Sequence, residues 1–271
     1  MSPDAKRHNA NNAGVRGNDS PGRRRPSSPS SQAPIISACR APNRPLDLAE
    51  LERPDYRDIV REMERMTARE DVSYLHPSKR WEYPWALEQA GLRPGDRVLD
   101  AGCGGSIFPA YLAAQGMSVA AVDLNPPAGL AAFHGLNYLS IQGNLACLPF
   151  AEGVFQAVFC ISVIEHFPAS GIALAMAELR RVLRPDGRLL LTTDYARDAS
   201  EEMWHEGPGR SFRVDWNVFD RDSLSRHILN AEGFRIEGGV DLEVDWELVR
   251  PAMSRFHGYP YTSVGLTLVR V

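Results

Sequence analysis

Between residues 97 and 195 short continuous apolar runs alternate with stretches that carry the three-and-four spacing of an amphipathic helix. The runs "RVLDAG" (97–102), "SVAAVDL" (118–124), "NYLSIQG" (137–143), "FQAVFCIS" (155–162) and "GRLLLTTDY" (187–195) read as strands. "IFPAYLAAQG" (107–116), "PAGLAAFHG" (127–135) and "SGIALAMAELRRVL" (170–183) read as helices between them. Unbroken apolar strands separated by helices predict a mostly parallel α/β sheet covered on both faces. Two helices precede it, over 53–69 and over 78–91, the second kinked at Pro84. A long polar loop (about 196–217), a helix at 220–233 and the strands "FRIEGGVDLEV" (234–244) and "SVGLTLVRV" (263–271) follow. Nothing helical separates the last two runs, so they are expected to form an antiparallel pair at one edge. The sheet then has seven strands.

One strand-to-helix junction asks for more than a turn. The first run stops at Asp100, passes Gly102, Gly104 and Gly105, and the second run ends on Asp123. In such a sheet ligands sit beyond the carboxyl ends of the strands. Glycines there let backbone N–H groups approach a ligand, and the following helix adds a partial positive charge. A carboxylate closing the next strand can take both hydroxyls of a ribose as donors. The pair describes a nucleoside pocket.

Charge changes the picture at the N-terminus. Residues 1–45 hold eight basic and two acidic side chains, a net +6 in a Ser/Pro/Asn/Arg-rich stretch. Such a segment buries too little apolar surface to order itself and is expected to be a disordered tail. Against a total of −4, the remaining chain carries −10, which disfavours a grip on nucleic-acid phosphates. The four cysteines (Cys39, Cys103, Cys147, Cys160) form no C-x-x-C pair. Neither disulfides nor a zinc site is expected, and a reducing cytoplasm is the expected setting. No apolar stretch is long enough to span a membrane.

The order "VLDAGCGG", "VAAVDLNP", "GNLACLPFAEGVFQAVFCISVIEHF", "ELRRVLRPDGRLLLTT" resembles the class I S-adenosylmethionine-dependent methyltransferases, of the type 11-like small-molecule kind, over residues 78–271. A dinucleotide turn would need a third glycine where Ile107 stands, and no P-loop is present. The resemblance implies a Rossmann-like sheet, S-adenosylmethionine as cofactor and a small-molecule methyl acceptor. It divides the chain into the tail (1–45), helices covering the cofactor site (46–95) and the methyltransferase domain (96–271). Residue by residue, it implies the loop 102–106 under the methionine part, with Asp100 near the ammonium. Asp123 binds the ribose, with Leu124 beside it, and Asn144 and the backbone of Leu145 meet the adenine edge. Cys160, Ile161 and Ser162 flank the sulfonium. The chain departs from the family pattern at Ser106, Asn144 and Gln156, where glycine, aspartate and aspartate are usual.

For the acceptor, His166 in "SVIEHF" is the first candidate base, since histidine titrates in the useful range. An equal reading makes Glu165–His166 a structural turn. Asp194 and Tyr195 at a strand end, and His257, Tyr259 and Tyr261 before the last strand, are candidate acceptor walls. The loop residues Trp204, His205 and Glu206 suit a lid, and no metal is expected of them. Trp81, Tyr83 and Trp85 either close over the cofactor or form interhelical core. Two rival functions use the same sheet: a nicotinamide- or nucleotide-sugar-binding enzyme, and a catalytically silent scaffold.

Overall fold

A computed structural model describes residues 41–67, 75–129, 131–132, 135–204 and 214–271. The expected tail therefore lies outside the described residues up to position 40, as do His205 and Glu206 of the loop. Residues 41–45 do not behave as a tail. Arg44–Pro45 is a short strand (β1) paired antiparallel with Val264 and Gly265. Asn43, fully buried, donates from Nδ2 to the Glu237 and Gly239 carbonyls (2.8 and 2.9 Å) and accepts from the Thr267 N–H (2.6 Å). One polar side chain thus satisfies three backbone groups of the sheet edge, which composition alone does not reveal.

Helices α1 (Pro54–Thr67) and α2 (Lys79–Ala90) follow. Pro84 lies inside α2 without ending it. Then come β2 (Arg97–Ala101), α3 (Phe108–Ala114), β3 (Ser118–Asp123), β4 (Leu139–Gln142), β5 (Phe155–Ile161), α4 (Ala169–Val182) and β6 (Leu183–Tyr195). Of the helix expected at 127–135, residues 131 and 132 are helical, 127–129 and 135 are not, and 130, 133 and 134 lie outside the described residues. The polar loop contains a separate antiparallel hairpin, β7 (Ser200–Trp204) with β8 (Val214–Val218). After it, α5 (Arg221–Leu224) runs on as a π-turn to Leu229. The chain closes with β9 (Phe234–Ile236), α6 (Trp246–His257) and β10 (Thr262–Arg270).

The main sheet runs β1-β10-β6-β5-β2-β3-β4, with β9 also on β10. It has eight strands rather than seven, the extra one being β1. Strands β2 to β6 pair in parallel, and β10 lies antiparallel to β6 on one side and to β9 on the other. The antiparallel edge is present, but a helix does intervene. The run 234–244 stops at Ile236 because Gly238 turns the chain at φ +72°. Helix α6 was hidden by Pro251 in its middle; its start is fixed by the Asp245 side chain, which accepts from the Leu248 N–H.

Alternation along each strand feeds two separate cores. Leu99, Ala101, Val158, Cys160, Leu189, Leu191 and Tyr195 face one, with α4. Val98, Ala157, Phe159, Ile161 and Leu190 face the other, with α2 and α3. Trp81 and Trp85 are fully buried on this second face, their rings stacked at 5.6 Å. Trp85 lies so close to β10 that a Cβ at Gly265 would meet its ring at 2.5 Å. Truncating either tryptophan should cost about 3–5 kcal/mol.

Candidate functional site

The strand order reverses between β5 and β2, whose carboxyl ends lie side by side. Gly102 leaves β2 at φ +87°, and a Cβ there would fall 2.4 Å from Val163 just past β5. Only glycine lets the two turns close on each other. The loop is strapped to β3: the Gly102 and Cys103 N–H groups donate to the Val122 carbonyl (2.7 and 3.1 Å). Gly104 N–H donates to Asp123 Oδ2 and Asn125 N–H to Asp123 Oδ1, each at 2.9 Å. Asp123, half-buried, therefore organises the glycine loop as well as closing its strand.

Above this loop lies a cavity of about 420 Å³, lined among others by His76, Lys79, Tyr83, Asp100, Ser106 and Ser162. Asp100 is 3 % exposed and its Oδ2 has no hydrogen-bond partner. Burial first, then the nearby Asp123 charge, pushes its carboxyl up to about 7. A buried acid with an unsatisfied oxygen and a second acid beside it calls for a cationic donor.

A second cavity, about 310 Å³, shares His76, Lys79 and Ser162 with the first. It is also lined by Glu165, His166, Asp194, Trp216, His257, Tyr259, Tyr261 and Ser263. At the junction sits Glu82, fully buried. It is paired with Lys79 at 2.5 Å and accepts from Ser162 Oγ (3.0 Å) and Ser263 Oγ (2.6 Å). Burial raises its carboxyl most, but the Lys79 charge and the hydrogen bonds from Lys79, Ser263 and Ser162 together outweigh that and hold it below the ordinary range. Ser162 is held in a left-handed conformation, φ 53°, its N–H donating to Thr192.

In the second cavity Asp194 Oδ2 accepts from Trp216 Nε1 (2.7 Å) and Glu165 Oε2 from Thr193 Oγ1 (3.1 Å). Burial drives the Asp194 carboxyl up to about 7 and raises Glu165, the latter further through the Asp194 charge. Burial lowers both His76 and His257, helped by Lys79 for the first and by His76 for the second.

The expected site residues divide by strand alternation. Asp100, Gly102, Gly105, Ile161 and Ser162 line the first cavity. Cys160, expected beside them, points to the opposite core because it alternates with Ile161. Asp194 lines the second cavity, whereas Tyr195 is turned away, its hydroxyl donating to the Leu242 carbonyl at 3.2 Å. Gly104 lies on the loop between, open on its Cα side. Leu124 is exposed past the end of β3. Asn144 Oδ1 accepts from the Ala146 N–H (2.9 Å), and Leu145 is buried in the core. His166 is exposed at the rim of the second cavity, 6.0 Å from the Trp216 ring.

Tyr83 lines the first cavity and stacks on Phe108, while Trp81 and Trp85 are core. Sequence reading missed His76, Lys79, Glu82 and Trp216. The Lys-x-x-Glu spacing of "SKRWEYPW" was the available signal, since it puts both groups on one helix face. Among the described residues no group of three or more His, Cys, Asp or Glu side chains is arranged to hold a metal, and no helix is long and apolar enough to cross a membrane.

Residues 99–191 match the methyltransferase domain family. The chain is 33 % identical over 129 residues to the ubiquinone biosynthesis O-methyltransferase of Dechloromonas aromatica, covering 44 % of this chain and 53 % of that protein. Identity to the protein of the same name from Xylella fastidiosa (strain 9a5c) is 39 % over 106 residues, covering 36 % and 42 %. The chain thus spans about half the length of the curated relatives it matches. Among solved structures it is similar to the cyclase SpnF (TM-score 0.55, 18 % identity, 79 % and 93 % covered). It is also similar to the 1,6-didemethyltoxoflavin-N1-methyltransferase of Burkholderia thailandensis, determined with S-adenosylhomocysteine (TM-score 0.50, 23 % identity, 84 % and 94 % covered). At these identities the structural likeness speaks for the fold.

Proposed function

We propose that this chain, whose residues 99–191 form a class I S-adenosylmethionine-dependent methyltransferase domain, is an enzyme that methylates a small molecule held in the second cavity. The observation that carries the reading is the buried, unpartnered Asp100 Oδ2 in the cavity over the glycine turn. That cavity suits a ligand with an ammonium group: Asp100 would receive it, and Asp123 would take the ribose hydroxyls. Ser106, Ile161 and Ser162 would wall the reacting end, with Asn144 and Leu124 flanking the base. S-adenosylmethionine, when bound, supplies a methyl group on a sulfonium that leaves as a neutral thioether and needs no acid.

The protein's own work is then proximity, exclusion of water and removal of one proton. Lys79, Glu82 and Ser162 hold the wall common to both cavities, so the acceptor side and the cofactor side keep a fixed relation. His166, at the rim, is the group we assign to accept the proton of an oxygen or nitrogen acceptor. The curated relatives carry O-methyltransferase in their names, which supports a heteroatom acceptor. The family match ends at residue 191, so Asp194, Trp216, His257, Tyr259 and Tyr261 lie beyond it.

Calorimetric titration with S-adenosylhomocysteine and NADH in parallel tests the reading. Binding of the homocysteine nucleoside, lost in Asp100→Asn, is expected. Binding of NADH with no binding of S-adenosylhomocysteine would replace the methyltransferase reading with a nicotinamide one.

A further inference from the structure

The second cavity has a composition of its own. One wall is aromatic: Trp216 packs edge-on to Tyr259 (5.4 Å) and Tyr261 (5.9 Å), and the two tyrosines stack at 5.2 Å and 16°. His257 joins the same cluster, 5.6 Å from Tyr261. Beside this wall are two carboxyl groups, Asp194 at 8 % and Glu165 at 1 % exposure. Asp194 takes hydrogen bonds from Trp216 and Tyr261, and Glu165 from Thr193. These neutral donors orient the carboxylates without neutralising them.

The cations that line the cavity do not balance this pair. Lys79 is committed to Glu82, a carboxylate with no exposed surface, so that ion pair cancels within itself. Of the imidazoles, His76 and His257 are pushed by burial toward their neutral forms, and His166 stands at the exposed rim. An anionic acceptor would be repelled by the two carboxyls, and a neutral one would gain no charge attraction from them. A protonated amine meets both by Coulomb attraction in a poorly solvated space, and lies beside the aromatic side chains of Trp216, Tyr259 and Tyr261 that line the same cavity.

We infer that the acceptor is a small amine, bound as its ammonium ion between Asp194 and Glu165 and caged by Trp216, Tyr259 and Tyr261. The inference rests on the methyltransferase reading above. In the reaction the ammonium gives one proton to His166. The freed nitrogen lone pair forms the N–CH₃ bond as the C–S bond breaks, and that bond's electron pair stays on sulfur. The carboxylates bind and orient; they are positioning groups for the nitrogen.

The test uses the full chain at pH 8, above the value of about 7 to which burial raises Asp194, and phenyltrimethylammonium as the probe, a permanent cation that cannot be methylated. Its neutral isostere tert-butylbenzene and the anion benzoate serve as comparisons, each titrated by saturation-transfer NMR. The cation is expected to bind at least tenfold tighter than either. Asp194→Asn and, as a rim variant that leaves the buried carboxyls in place, Tyr259→Leu should each weaken it about tenfold, with S-adenosylhomocysteine affinity unchanged. Equal binding of cation and isostere, or preference for benzoate, overturns the amine assignment even if S-adenosylhomocysteine binds. Failure to bind S-adenosylhomocysteine overturns the methyltransferase reading, whatever the cation does.

Discussion

Replacing Asp100 by asparagine should stabilise the folded protein at pH 8, though not at pH 4.5, while abolishing binding of S-adenosylhomocysteine. The folded state holds this carboxyl near 7 against an ordinary value of 3.8. Between those values the folded chain binds more protons than the unfolded one, so its stability falls as pH rises through the window. The cost of ionising the group in place is about 1 kcal/mol at pH 4.5 and on the order of 4 kcal/mol at pH 8. Asparagine never ionises, but it puts an amide N–H₂ where Oδ2 now lacks a partner, at about 1–3 kcal/mol. That second cost does not depend on pH. Variant minus wild type should therefore climb by about 3 kcal/mol from pH 4.5 to pH 8, a relative gain of roughly 6–12 °C in melting temperature for a unit of this size. Melting scans at both pH values, with and without S-adenosylhomocysteine, measure it. The ligand should raise the wild-type midpoint and leave the variant's unchanged. Two melting curves separated by the same interval at both pH values would refute the idea that this carboxylate is held at a cost.

Other substitutions probe other parts of the argument. Asp123→Ala should weaken cofactor binding by about 1–3 kcal/mol in calorimetry, since it removes the proposed ribose acceptor and the two N–H contacts to Gly104 and Asn125 that shape the loop; unchanged affinity would remove the ribose assignment. His166→Ala should slow turnover by about 10²-fold with cofactor affinity intact, because the side chain is exposed at the rim and outside the first cavity. Full activity would return it to a structural role. Asn43→Ala should cost about 1–3 kcal/mol in urea unfolding by orphaning the buried Thr267 N–H and two part-buried carbonyls, whereas removal of residues 1–40 should leave the unfolding midpoint where it is.

The parallel strands, their helices and the glycine turn were legible because each is written in neighbouring residues: an apolar run, a glycine cluster, an acid at a strand end. What sequence order could not supply was the contribution of distant segments. Asn43 looks like tail until its partners at 237, 239 and 267 are seen. Helix α6 reads as loop because Pro251 interrupts it, yet Asp245 caps its start. In the second cavity, Lys79, Asp194 and Trp216 come from α2, β6 and β8, and Tyr261 from the segment before β10. The choice between Asp194 and Tyr195, or between Cys160 and Ile161, turned on which face of one strand each occupies, and hydrophobicity does not distinguish two buried faces.

Val163 touches the backbone of Gly102 on one side and lies two residues before Glu165 on the other. If the two cavities hold the two proposed ligands, that contact would be a mechanical joint between them: a loop that tightens around one occupant would change the seat offered to the second. Affinities measured one ligand at a time would then differ from those measured together, and thermodynamic reciprocity would make the factor identical in both directions. Shaving the joint with Val163→Ala should bring that factor toward one, leaving two binding sites that no longer take notice of each other.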